Sequence, residues 1–221
     1  MPRPASRHRG PLKMILWAAL VLVSAPLTDL VLAFWPGGPG AGALEQAYRE
    51  EEALLASLGT PATARTLAAV RDGLHQALWV WTGLDTLVED AAAAAAGGIE
   101  GIAAHLVLAA APVWETLYWG VLLRGLRLGV LVACLPLLAA VTLAAAADGL
   151  AAWWLRRAGA VRESGFIYHR AKLGLRLSLA ALWLAYLLPP VALDPRLIVP
   201  PFLVLYGLSL RLALTWFKKH L

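Results

Sequence analysis

The sequence predicts an all-α integral membrane protein, with four transmembrane helices and a helical periplasmic insertion between spans one and two. Three observations carry this expectation. Of the 221 residues, 60% are hydrophobic and 15% charged, and the mean hydropathy is +0.69; soluble domains sit nearer half apolar and a quarter charged. The apolar residues gather in runs of about 20, long enough to cross the roughly 30 Å hydrocarbon core as helices. Lys and Arg fall in alternate connections, as expected where cytoplasmic loops retain positive charge.

Residues 1–13, MPRPASRHRGPLK, form a basic cytoplasmic tail with Arg3, Arg7, Arg9 and Lys13. The first span is 14–35, with Trp17 and Trp35 near its two ends, where aromatic belts belong. The run exceeds the 7–15 apolar residues of a signal peptide, so it is expected to be retained.

Residues 36–125 form the periplasmic or interfacial region. Its acids, among them Glu45, Glu50, Glu51, Glu52, Asp72 and Asp85, outnumber its bases up to Pro112. Leu44, Tyr48, Leu55 and Leu58 recur at roughly helical spacing. Thr60-Pro61 reads as a helix start, with Thr as N-cap and Pro at the first helical position. Leu67, Val70, Leu74 and Leu78 mark one face of the following helix, and LVEDAAAAAAGG is a helix stopped by glycine. Such a small domain needs the membrane or a partner to lean on.

Two apolar runs, about 102–123 and 128–147, flank Arg124–Arg127. If both crossed, the connection 148–172, with five basic and two acidic residues, would lie outside the cell, against the positive-inside bias. One span over 126–147 is therefore expected, preceded by an apolar interfacial helix. Residues 148–172 then form a basic cytoplasmic loop, 173–192 the third span, 197–217 the fourth and 218–221 a cytoplasmic tail. Both termini are placed in the cytoplasm.

Few residues invite chemistry. A net charge of +5 could suggest nucleic acid, but no specific signature for direct DNA contact accompanies it. Cys134 is the only cysteine, so an intramolecular disulfide is excluded and a thiolate metal site is not supported. The chain holds no HExxH, GxSxG or Walker glycine loop. Ser164, Glu163 and His169 lie close in sequence, yet their helical spacing does not converge them on a shaped pocket. No catalytic residue, cofactor or metal is expected.

Three other groups stand out. Asp29 lies inside the first span, and Arg124 and Arg127 at a similar height; an intramembrane ionisable residue is a functional hypothesis by default. An interhelical ion pair or a water-exposed carboxylate is the plain reading, and a small transporter or ion-conducting protein using Asp29 and these outer-leaflet arginines is the alternative. Gly125, Gly129 and Ala133 are spaced i, i+4, i+8, which lets a second helix approach closely. Arg156, Arg157, Arg162, Glu163, Phe166, Tyr168, His169, Arg170 and Lys172 make a basic-aromatic stretch, suited to anionic lipid headgroups or an acidic partner.

That last stretch also carries a resemblance. GAVRESGFIYHRAK at Gly159–Lys172, LLPP followed by Asp194-Pro195, and the closing FKKHL look like the integrating conjugative element membrane protein family. The most distinctive block is matched by Arg162, Glu163, Ser164, Phe166, Tyr168, His169, Ala171 and Lys172. FWP at Phe34–Pro36 and the order of spans and linkers add to it, whereas the poly-Ala run at Ala91–Ala96 departs from the pattern. The resemblance implies an accessory subunit, in the bacterial inner membrane, of a type IV secretion apparatus for horizontal DNA transfer. Its implied partner is the coupling ATPase or a channel component. A homo-oligomer is compatible with it, and it supplies no catalytic residue.

Overall fold

In the computed structural model, residues 24–38, 40, 42–94, 100–159 and 165–217 are described. Among them the chain is 87% helix with no strands. Nine helices follow one another among these residues: α1 Ser24–Phe34, α2 Ala43–Leu58, α3 Pro61–His75, α4 Leu84–Ala94, α5 Glu100–Ala109, α6 Ala111–Ala133, α7 Leu135–Ala158, α8 Gly165–Leu182 and α9 Pro195–Thr215. Two π-helical turns extend α3 through Gln76–Val80 and α8 through Trp183–Leu187.

Local chemistry sets these boundaries. The Thr60 hydroxyl accepts from the Thr63 N–H at 3.2 Å, and Pro61 follows at the first helical position, so α3 starts where an orphan donor is satisfied. Gly83 adopts φ +73°, the left-handed conformation that glycine takes without steric penalty; it turns the chain from the end of α3 into α4. Asp194 caps α9 by accepting from the Arg196 N–H at 2.9 Å.

The helices gather in two clusters. In the first, α2 and α3 pack on α6, and Leu44, Tyr48, Leu67, Leu122, Leu123, Leu126 and Val130 form the core with Tyr186 from the turn after α8. In the second, α7 and α8 both pack on α9. A single residue, Cys134, separates α6 from α7, which then starts with Leu135 and Pro136. The chain thus passes from one cluster into the other at Cys134.

Glycines permit the closest crossings. A Cβ on Gly125 would lie 2.8 Å from the Arg71 Cα, and one on Gly129 2.8 Å from the Leu67 Cα. These two glycines are where the α3 backbone meets α6; Ala133, next along the same face, is only partly buried. In the second cluster, Gly149 of α7 sits against the Arg211 backbone and Gly207 of α9 against Val141.

Among the described residues, three helices are long and apolar enough to cross a membrane: α6, α7 and α9. Several sequence expectations shift accordingly. The 126–147 segment is divided at Cys134 between α6 and α7. Arg124 and Arg127, read from sequence as the interruption between two apolar runs, lie within the uninterrupted α6 because each finds an acid. Most of 148–172 is helix: α7 continues to Ala158 and α8 begins at Gly165. α8 therefore starts earlier than the expected third span at 173 and brings Arg170, Lys172 and Arg176 with it. The 14–35 segment is described only from Ser24 onward, and the tails 1–13 and 218–221 lie outside the described residues.

Candidate functional site

Two ion pairs organise the first cluster. Arg127, on the helix face pointing at α2 and the turn after α8, is 0% exposed, and so is Glu51 of α2. The Arg127 Nε donates to both Glu51 oxygens at 3.1 and 3.0 Å, and a terminal nitrogen donates to Oε2 at 2.8 Å. Its other donors reach the carbonyls of Tyr186 at 2.8 Å, Pro189 at 2.7 Å and Val191 at 2.5 Å. The Glu51 carboxylate also accepts from the Tyr186 hydroxyl at 3.3 Å and the Leu193 N–H at 3.2 Å. The guanidinium lies 5.5 Å from the Tyr186 ring centroid. A buried charge pair is tolerable only when its remaining donors and acceptors are filled, and here they are.

Asp29 and Arg124 make the second pair. Two Arg124 nitrogens donate to the two Asp29 oxygens, one at 2.6 Å, and further bonds go to the Ala25 carbonyl at 3.2 Å and the Gly120 carbonyl at 3.0 Å. The carboxylate lies against Gly120, where a Cβ would stand 2.5 Å from Oδ2. The sequence grouping of Asp29 with both arginines therefore separates: Arg124 takes Asp29, and Arg127 takes Glu51. An apolar cavity of about 90 Å³ opens beside this pair, walled by Leu74, Leu117, Val121, Leu128 and Trp183.

Glu51 and Tyr186 were missed by sequence reasoning. Glu51 sits in the run Glu50-Glu51-Glu52, which looks like a solvated face. A signal was present, because Leu44, Ala47, Tyr48 and Glu51 are spaced i, i+3, i+4, i+7 and all are buried. A neighbouring polar group closes the α2–α3 contact: Arg71 donates to the Tyr48 hydroxyl at 2.9 Å and to Glu52 at 2.8 Å. Burial, and the Glu52 carboxylate that accepts the Tyr48 O–H at 2.7 Å, push that phenol up to about 12.

The basic-aromatic stretch divides between helices. Arg156 donates to the Thr215 carbonyl and stacks 4.1 Å from the Trp216 ring centroid. Arg157 lies 4.8 Å over Trp153, whose indole N–H donates to the Phe217 carbonyl at 3.2 Å. On α8, Arg170 lies 4.5 Å over Phe166, and Tyr168 packs edge-on to Phe217 at 6.1 Å between centroids. The ends of α7 and α9 and the start of α8 thus form one basic-aromatic end, on which Arg157, Phe166, His169, Arg170 and Lys172 are exposed. Arg162 and Glu163 lie outside the described residues.

Among the described residues, no group of three or more His, Cys, Asp or Glu side chains is placed to hold a metal ion. No curated protein and no solved structure matches the chain. The model of the family described as IncC plasmid conjugative DNA transfer protein DtrJ-like matches residues 34–218, from the end of α1 through all of the second cluster. The chain therefore belongs to the DtrJ-like family, which implies a role in conjugative DNA transfer.

Proposed function

We propose that the protein is a non-catalytic accessory subunit of a type IV secretion apparatus for conjugation, held in the bacterial inner membrane. Its basic-aromatic end faces the cytoplasm with both termini, and the first cluster faces the periplasm. In this reading the exposed Arg157, Arg170 and Lys172 rest among anionic headgroups and present a docking face to the coupling ATPase or a channel component. The observation that carries the reading is the family match over residues 34–218, joined to the spanning length of α7 and α9 in the second cluster. The chain's block at Arg162–Lys172 supports a locus of the integrating conjugative element kind.

The alternative of a small transporter began from Asp29. Its carboxylate is bound by two nitrogens of Arg124, which favours a fastening role over an ion pathway. Co-purification from gently solubilised donor membranes tests the docking partner: recovery of the coupling ATPase with the tagged protein supports the contact, and its consistent absence refutes it.

A further inference from the structure

Asp148 of α7 and Arg211 of α9 bond each other on the open side of the α7–α9 contact. They remain 59% and 46% exposed, respectively. Each precedes a tryptophan, Trp153 or Trp216, by five residues, which places it about 7.5 Å inward of the aromatic end at 1.5 Å per residue. A charged pair left half open on helices of spanning length is unfavourable against lipid. Covered by protein that completes its hydrogen bonds, it is not.

The neighbours of this pair are uneven in size. Ala144 and Ala151 stand within about 60° of Asp148 on α7, and Val204 and Leu208 within about 60° of Arg211 on α9, at 100° per residue. All four are exposed. Between Ala144 and Ala151 the α7 half of the face is therefore flat, with exposed Leu155 rising one turn nearer the aromatic end, and the α9 half is ridged.

We infer that this face is covered by a second copy of the same chain, related by a two-fold axis along the membrane normal and passing between Asp148 and Arg211. The two charges lie at one depth because they bond each other. A copy inserted in the same orientation carries its own pair at that depth, with signs reversed across the axis. Each Asp148 then meets the partner copy's Arg211, and the Ala144–Ala151 flat receives the Val204–Leu208 ridge. A self-complementary patch is what a two-fold interface requires, whereas an unrelated helix would need matching charges at that height by coincidence.

The test uses full-length protein in membranes. Cys134→Ser removes the only cysteine, and two differently tagged copies then carry Ala144→Cys and Leu208→Cys, respectively. Mild oxidation is expected to join the two tags. A pairing of Ala144→Cys with Leu173→Cys, an exposed α8 position at a similar depth, is expected to yield at least about tenfold less, the difference that roughly 1.4 kcal/mol of pairing energy makes. Equal yields from both pairings, or none from either, overturn the inference. In the same system, Asp148→Arg in both copies, or Arg211→Asp in both, is expected to abolish the cross-link. Asp148→Arg in one copy with Arg211→Asp in the other restores it, although each chain's internal pair is broken. Failure of that restoration, with both chains still inserted, overturns the inference; so does a cross-link at the original level in either all-basic or all-acidic pairing.

Discussion

Arg127 of α6 and Glu51 of α2 are bonded through three nitrogen–oxygen contacts of 2.8–3.1 Å, and neither side chain is exposed. The same guanidinium holds three carbonyls of the turn between α8 and α9. One side chain therefore fastens the first cluster to the second.

Removing one member of this pair strands the other. Arg127→Met leaves a buried carboxylate and is expected to destabilise the fold by about 3–5 kcal/mol. The double variant Glu51→Gln/Arg127→Met loses less than that single variant, because no uncompensated charge remains. Unfolding midpoints in detergent micelles check this, and a double variant as unstable as Arg127→Met would refute the stranded-charge account.

At the α3–α6 crossing, space is the limit. A methyl on Gly129 meets the Leu67 Cα at 2.8 Å, and backbone yields less readily than the end of a side chain. Gly129→Ala is expected to lower stability by about 1–3 kcal/mol, the usual range for overpacking. Limited proteolysis follows the consequence directly: cleavage within 61–75 should quicken in Gly129→Ala and more so in Gly129→Leu.

Alkaline pH tests the Tyr48–Glu52–Arg71 contact. An unfolded tyrosine ionises near 10, and Tyr48 holds its proton up to about 12. Between these values the folded state binds more protons than the unfolded one, so stability is full below pH 10 and falls as pH rises toward 12. Tyr48→Phe is expected to flatten that limb of a stability-versus-pH curve while leaving neutral pH to report only the lost hydrogen bonds.

The Asp29–Arg124 pair separates a fastening role from conduction. Reconstituted vesicles carrying Asp29→Asn are expected to leak protons and monovalent cations at the same rate as those carrying the unaltered protein. A flux present in the unaltered protein and lost in Asp29→Asn would revive the transporter reading.

The helical, membrane-type character of the chain was plain in its apolar runs, and Thr60-Pro61 announced the start of α3 because caps act locally. The division of 100–160 was not legible. An arginine in an apolar run reads as a break until its acid is known, and Glu51 lies 76 residues from Arg127. Asp148 and Arg211 were hidden for the same reason, being 63 residues apart. Gly125 and Gly129 showed that a helix could approach, but their spacing carried nothing to identify α3 as the one that does. The basic-aromatic block reads as a loop in the sequence, whereas in the structure its aromatic residues lie on α8, Phe166 under Arg170 and Tyr168 edge-on to Phe217.

The most direct test of the account is the DNA-transfer frequency of donor cells whose only copy carries Arg157→Gln, Arg170→Gln and Lys172→Gln together. These side chains are exposed, so the fold should survive, and membrane levels of the protein are measured alongside. Normal insertion is expected, with transfer reduced by about tenfold or more, as for a docking contact weakened by roughly 1.4 kcal/mol. Transfer at the unaltered frequency would contradict it.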